Sequence, residues 1–139
     1  MDSAREGPEI VFDPPPGEAL SRLVSENVVS ANVARTGVID WHPVGFFLKS
    51  PRGEWLGGLT GYIWNFLWVS EALRGQRHGT RLMDAAEEMA RERGAVGATL
   101  ETFTSQAPGF YNKRGYSIFG RLDNYPPGHA KLFLSKRLD

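Results

Sequence analysis

The feature that most restricts the fold of this chain is a strand–helix–strand succession between residues 64 and 103. Trp64–Ser70 is rich in aromatic residues, which suits a strand. Gly79–Arg93 repeats apolar residues at helical spacing, and Gly94 then ends the helix. Its apolar stripe is formed by Leu82, Ala85 or Ala86, Met89 and Ala90. Ala98–Phe103 is again a strand pattern. Two neighbouring strands that are connected by a helix run parallel to each other, and the crossover connection is right-handed.

The other predicted elements surround this unit. They are a strand at Glu9–Phe12, a helix at Gly17–Val33, strands at Val44–Lys49 and Glu54–Ile63, a short helix at Ala107–Arg114, and strands at Tyr116–Leu122 and Ala130–Lys136. Glycines 57, 58 and 61 indicate a close backbone approach or a bulge in the second of the paired strands. The order β-α-β-β-β-α-β-α-β-β predicts an α/β (α+β) protein. Its central sheet is expected to be mixed and mostly antiparallel, with helices on both faces and a single domain over residues 1–139.

Composition excludes several classes of protein. The chain has 139 residues and no cysteine, which excludes a disulfide framework and a thiolate nucleophile. Sixteen basic residues balance sixteen acidic ones, so we expect no general nucleic-acid binding. The first eight residues lack the apolar core of a secretory signal, and the apolar runs are too short to cross a bilayer. We therefore expect a cytoplasmic protein without a membrane partner.

The loop between the aromatic strand and the long helix carries the strongest chemical signal. Its residues are Arg74, Gly75, Gln76, Arg77, His78, Gly79 and Thr80. Backbone N–H groups at a helix start lack intrahelical partners, and the helix dipole adds positive potential there. Two glycines let an anion approach the main chain, and the basic side chains add charge. The loop is either a phosphate-binding site or a helix start whose arginines are simply solvated.

Two well-known phosphate loops do not fit this segment. It lacks the Gly-Lys-Ser/Thr of nucleoside-triphosphate loops and the G-x-G-x-x-G of dinucleotide sites. The three histidines, His42, His78 and His129, show no metal-ligand spacing, so we predict no metal.

Two motifs resemble those of the GCN5-related N-acetyltransferase (GNAT) family. The family's phosphate loop, Gln/Arg-x-x-Gly-x-Gly/Ala, is similar to Arg74–Gly79, with Arg77 at a position usually held by glycine. The family's Asn-x-x-Ala-x-x-Phe-Tyr resembles Thr104-x-x-Ala107-x-x-Phe110-Tyr111, with threonine in place of asparagine. The resemblance covers about Gly57–Leu138 and includes both motifs in the order the family shows.

The resemblance implies an acetyl-CoA-dependent enzyme that transfers an acetyl group to a primary amine of a small molecule or peptide. Acetyl-CoA would lie where the two parallel strands splay apart, with its pyrophosphate at residues 74–80. The backbone of Trp68 and Val69 would pair with the pantetheine amides, and Thr104 would contact the same arm. Tyr111 matches the family tyrosine that protonates the leaving thiolate; the alternative is that it only packs over the cofactor.

The base that takes the amine proton is left open. Glu101 is one candidate, although its position on a strand face also suits a salt bridge. His129 is another, because the loop between the last two strands often walls the acceptor site in the family; otherwise it is a turn histidine. Deprotonation through water is a third route.

Two further interpretations concern apolar strands. Trp64, Phe66 and Trp68 share one strand face, which favours packing in the core and, second, contact with the acceptor. The apolar run Leu132–Leu134 could pair or pack across a two-fold axis, so a homodimer is a hypothesis.

Two other functions compete with the enzyme. One is a CoA- or acyl-CoA-binding sensor without catalysis, which the departures at Arg77 and Thr104 keep open. The other is an anion-binding regulatory domain unrelated to CoA.

Overall fold

The computed structural model describes residues 7–37, 42–73, 78–106 and 108–139. The side chains of residues 71–73 are outside this description. The chain divides into two compact units, Met1–Ile39 and Asp40–Asp139. Each unit is described by itself, and the single domain expected from the sequence stays a prediction.

The first unit contains one helix, α1 (Glu18–Thr36). Gly37 ends it in the left-handed conformation at φ 71°, and its N–H donates to the carbonyl of Val33 at 2.8 Å. The helix predicted over Gly17–Val33 is confirmed and continues three residues further.

The strand predicted at Glu9–Phe12 is wrong. These residues have neither helical nor strand structure. Prolines at 8 and at 14–16 flank them, and a proline ring supplies no N–H for a strand ladder. Three apolar residues after Glu9 have the composition of a strand, but the prolines on both sides prevent the strand from being extended.

The second unit is built on six strands and two helices. The strands are β1 (His42–Lys49), β2 (Trp55–Ile63), β3 (Phe66–Leu73), β4 (Gly97–Phe103), β5 (Ser117–Asp123) and β6 (Ala130–Arg137); the helices are α2 (Gly79–Glu92) and α3 (Pro108–Lys113). The sheet order is β1-β2-β3-β4-β6-β5. Only β3 and β4 pair in parallel, and the four other pairings are antiparallel. The predicted mixed, mostly antiparallel sheet and its parallel crossover are confirmed.

The core lies on one face of this sheet. Alternate residues of the central strands point there, as period-two geometry requires. They are Leu59, Ile63, Leu67, Val69, Ala98, Leu100, Leu132 and Leu134. Helix α2 covers them with Leu82, Met83, Ala86 and Ala90, and α3 adds Tyr111. Of the predicted stripe, Ala86 rather than Ala85 is buried, and Met89 is only partly buried.

Of the two ways in which Leu132–Leu134 could join a homodimer, strand pairing is wrong, while packing across a two-fold axis stays a prediction. Strand β6 has β4 on one edge and β5 on the other, so neither edge is open to another chain. Leu132 and Leu134 are buried in the core. A homodimer through another surface stays a prediction.

Gly61 is the glycine that the sheet needs most. A Cβ at this position would overlap the backbone carbonyl of Trp68 and lie 3.2 Å from the Val69 Cα. The register between β2 and β3 shifts at the same place: Thr60 faces Glu71, and Gly61 faces Val69, so Ser70 is the extra residue of a bulge. The close approach or bulge predicted from the glycines is confirmed.

Replacing Gly61 with alanine should lower the free energy of unfolding by about 1–3 kcal/mol, because the added methyl group must displace the backbone of β3. Chemical denaturation followed by circular dichroism measures the change. Gly109→Ala is the matched control, since open space surrounds its Cβ position in α3. Equal stability of G61A and the unmodified protein would contradict the close approach.

Candidate active site

The site is an opening between the parallel strands. Strands β3 and β4 pair through four residue pairs, the last of which is Val69 with Leu100. Both strands continue beyond it, β3 to Leu73 and β4 to Phe103. Over this stretch β3 stays paired with β2, and β4 stays paired with β6 as far as Phe103–Lys131. The two halves of the sheet therefore diverge at the carboxyl ends of β3 and β4.

The bulge at Ser70 marks where the divergence begins. It follows directly after the last parallel pair, at Val69. A bulge bends its strand and increases the local twist, which turns the end of β3 away from β4. The strand edges that face each other across the opening carry backbone N–H and C=O groups, which can pair with an extended ligand. Trp68 and Val69, whose backbone was predicted to bind the pantetheine arm, form the last two parallel pairs, directly before the opening.

Helix α2 begins beside the end of β3. Of the loop predicted to bind phosphate, Arg74, Gly75, Gln76 and Arg77 lie outside the described residues, as does Ala107 of the second motif. His78, Gly79 and Thr80 form the helix start, where the His78 carbonyl accepts the Leu82 N–H at 3.1 Å. The first turn holds no acidic residue, and no side chain caps it within the described part of the chain. Its outward N–H groups and the helix dipole favour an anion.

Tyr111 lies on the core face of the sheet. It is 3% exposed, and its ring packs edge-on against Phe110 at 5.1 Å and Tyr116 at 5.7 Å between centroids. Its carbonyl accepts the N–H groups of Arg114 and Tyr116, both at 3.0 Å. The ring is therefore held firmly by the core. Its role as proton donor stays a prediction.

The opposite face of the sheet carries a cavity of about 500 Å³. Its lining includes Tyr62, Trp64, Phe66, Trp68, Glu101, Phe119 and Phe133. The aromatic residues of β3 that were predicted to pack in the core line this cavity instead, and Trp68 is 44% exposed. The core prediction is wrong because Leu67 and Val69, on the other side of the same strand, occupy that role.

Glu101 is held by a neighbouring ammonium group. Its Oε2 lies 2.8 Å from Nζ of Lys131, and the two side chains are 39% and 24% exposed. The hydrogen bond to Glu101 and the charge of that carboxylate raise the pKa of Lys131. The same Nζ lies 5.5–6.0 Å from the ring centres of Phe103, Tyr125 and Phe133. The structure thus shows the salt bridge that the sequence left as an alternative, and it places Glu101 on the wall of the cavity.

His129 is exposed and lies in the turn between β5 and β6. Its N–H donates to the Pro126 carbonyl at 2.9 Å, and its own carbonyl accepts the Tyr125 N–H at 3.2 Å. The Tyr125 ring stacks on Phe103 at 6.0 Å between centroids, which brings this turn to the end of β4. His129 is not among the residues that line the cavity, and its roles in the acceptor wall and as a base stay predictions.

Thr104 ties the end of β4 to the start of β6. Its hydroxyl accepts the Ala130 N–H at 3.0 Å, while its own N–H donates to the Ala130 carbonyl at 2.9 Å. This structural use of the side chain was not foreseen from the sequence. The hydroxyl hydrogen can still be donated to a ligand, as the resemblance implies.

Thr104→Ala should lower the free energy of unfolding by about 1–3 kcal/mol, because the Ala130 N–H loses its acceptor inside the protein. Thr104→Ser keeps the hydroxyl and should stay close to the unmodified protein. Urea denaturation of the three proteins measures the difference. A serine variant as unstable as the alanine variant would show that the methyl group, and not the hydrogen bond, matters.

Sequence reasoning missed two charged groups near the site. Lys131 was not singled out, although its position beside aromatic residues of three segments gives it a role. Glu87 was also missed, although it falls on the apolar stripe of α2 between Met83 and Ala90, where a charged residue requires partners. Within the described residues, no group of three His, Asp or Glu side chains could hold a metal ion. No helix in the same part of the chain is both long and apolar enough to cross a membrane.

Comparison with known proteins agrees with this geometry. The model of the Acetyltransferase (GNAT) family matches residues 13–116. Blasticidin-S acetyltransferase from Streptomyces morookaense is 39% identical over 114 residues, which are 75% of this chain and 84% of the relative. An acetyltransferase from Agrobacterium fabrum is 31% identical over 122 residues, covering 84% and 89%. A crystal structure of an acetyltransferase from Agrobacterium tumefaciens superimposes with a TM-score of 0.84 at 27% identity, covering 93% and 98%.

The fold and these relatives place the protein among the acetyltransferases. The chain belongs to the GNAT family.

Proposed function

We propose that the protein transfers the acetyl group of acetyl-CoA to a primary amine in a ternary complex. The observation that carries this proposal is the opening between β3 and β4 next to the start of α2. An extended pantetheine arm can pair with the exposed strand edges, while the pyrophosphate meets the helix start. Residues 74–80 and Thr104 are the proposed cofactor contacts, together with the backbone of Trp68 and Val69.

The two faces of the sheet supply the two sides of the reaction. In this proposal the amine approaches from the cavity, whose wall includes Trp68 and Glu101, and Tyr111 acts from the core face. The amine nitrogen attacks the thioester carbonyl, and a bond from carbon to nitrogen forms. The bond from carbon to sulfur then breaks, and the thiolate takes a proton from Tyr111. Holding the amine against the thioester supplies much of the rate. A backbone N–H near Val69 stabilises the developing oxyanion.

The proton that the amine loses has three proposed destinations. Glu101 lines the cavity, but its carboxylate is already paired with Lys131. His129 lies in the turn that Tyr125 attaches to the end of β4. Water is the third route. Of the two side chains, Glu101 has the better position, because it shares the cavity with Trp68.

The acceptor is proposed to be an amine with an apolar or aromatic body. Aromatic rings form most of the cavity wall, and Glu101 is the carboxylate among the lining residues. Flat groups and cations both bind well to such walls. Blasticidin S is the first acceptor to test, because the relative from Streptomyces morookaense acts on it. A cytoplasmic location also stays a prediction.

Acetyl-CoA should bind to the purified protein with measurable heat, and thiol release should appear when a suitable amine is added. Tyr111→Phe should lower kcat for thiol release about 100-fold, because the thiolate loses its proton donor. It should leave acetyl-CoA binding intact. Calorimetry and a thiol-reactive dye measure the two quantities over a panel of primary amines.

The outcomes separate the competing functions. Binding of acetyl-CoA without thiol release on any amine would favour the non-catalytic sensor. Binding of phosphate but not CoA would favour the anion-binding domain. Full activity of Y111F would remove the tyrosine from the mechanism.

Trp68→Ala should raise KM for the acceptor about tenfold, because a ring that contacts the amine substrate is lost. KM for acetyl-CoA should change little, since the cofactor contact at this residue is through the backbone. Steady-state kinetics with each substrate varied in turn measures both. Trp55→Ala is the matched control, because Trp55 is exposed and packs on Phe47 outside the cavity lining. An equal effect of both variants would contradict the placement of the acceptor.

A further inference from the structure

Glu87 is a carboxylate placed where an apolar residue belongs. It is 2% exposed and lies on the buried side of α2. A buried charge is strongly unfavourable unless it is paired and hydrogen-bonded. The Glu87 carboxylate is therefore stabilised by the groups that pair with it, and it holds those groups in place.

Three residues from different parts of the chain meet at this carboxylate. Oε1 accepts the Tyr116 hydroxyl at 2.8 Å, and Oε2 lies 3.0 Å from Arg114 Nη2 and 3.1 Å from Lys136 Nζ. Arg114 also pairs with Asp84 at 2.8 Å. Two carboxylates thus balance two cations, and the cluster joins α2 to the end of α3, the start of β5 and β6.

Tyr116 connects this cluster to Tyr111. The two rings pack edge-on at 5.7 Å, and the Tyr116 N–H donates to the Tyr111 carbonyl. Burial, followed by the charge and hydrogen bond of Glu87, raises the pKa of Tyr116 well above its ordinary value. The phenol therefore stays protonated and remains the donor to Glu87. Because α3 has only six residues, its orientation depends on such contacts at its end.

We infer that Glu87 is a positioning residue, which acts through the Tyr116 hydroxyl to hold Tyr111 at a fixed place relative to α2. This inference rests on the proposed function, in which Tyr111 protonates the leaving thiolate. The start of α2 is the proposed pyrophosphate site, and the same helix carries Glu87 two turns further on. One rigid element would then set both the position of the cofactor and the position of its proton donor.

A double-mutant cycle tests the inference on the full chain. Tyr116→Phe removes only the hydroxyl and should lower kcat for acetyl transfer about tenfold, because the donor is displaced from the thiolate. KM for acetyl-CoA should stay unchanged. In the Tyr111→Phe background, the same substitution should cause no further loss of kcat. Glu87→Asp, which withdraws the carboxylate by one methylene group, should follow the same pattern and serves if Y116F folds poorly.

Asp84→Asn is the matched control. Asp84 binds the same guanidinium as Glu87, but its side chain is 64% exposed. It should leave kcat within a factor of about two, because Glu87 still pairs with Arg114 and the Asp84 carboxylate is mostly in solvent. Thermal melting of each variant separates loss of folding from loss of position.

A second readout does not depend on catalysis. In protein labelled with 3-fluorotyrosine, the fluorine resonance of Tyr111, assigned through Y111F, should shift in Y116F and in E87D but not in D84N. If the unmodified protein releases no thiol with any amine, the proposed function fails, and this resonance still tests the positioning. An unshifted resonance, or equal losses of kcat from Y116F in both backgrounds, would overturn the inference.

Discussion

The structure depends on the close approach of the β2 and β3 backbones at Gly61 and on the bulge at Ser70. The backbones approach so closely that residue 61 has no room for a side chain, and the extra residue Ser70 is pushed out of the ladder. Directly after it, β3 leaves β4. The opening that receives the proposed cofactor is therefore a product of backbone geometry, and the side chains around it are placed by the strands that diverge.

The divergence gives the two faces of the sheet different properties. The core face is closed by α2 and Tyr111, and it buries the Glu87 carboxylate in a balanced cluster. The other face keeps large aromatic side chains and the Glu101–Lys131 pair on the wall of a cavity. The proposed reaction uses both environments, since Tyr111 would protonate the leaving thiolate from the core face while the amine would enter from solvent on the other face.

Much of this could be predicted from local pattern. The parallel crossover followed from a strand, a helix and a strand in succession, and the close approach followed from glycines within β2. The aromatic stripe could not be assigned correctly, because both faces of β3 are apolar and alternation alone does not say which one is buried. Glu9–Phe12 shows a second limit of local pattern. These four residues suit a strand, but their composition does not tell whether a neighbouring strand is there to pair with them.

The charge clusters were beyond sequence reasoning for a different reason. Glu87 meets groups 27, 29 and 49 residues away along the chain, and only the completed fold brings them together. The candidate base had the same difficulty. For Glu101 the sequence left a salt bridge as an alternative without naming its partner, and the structure shows that partner to be Lys131 on β6.

The two hydrogen bonds between Thr104 and Ala130 help to attach β4 to β6. Together with the β4–β6 ladder, they fasten β4 along its whole length to the β6–β5 side, while β3 stays fastened to β2 and β1. Within the sheet, two three-stranded panels are joined only by the four pairs from Phe66–Gly97 to Val69–Leu100. A ligand in the opening would lie between the two panels, beyond the Val69–Leu100 pair. The fit of such a ligand would depend on the spacing between the two panels beyond the last pair.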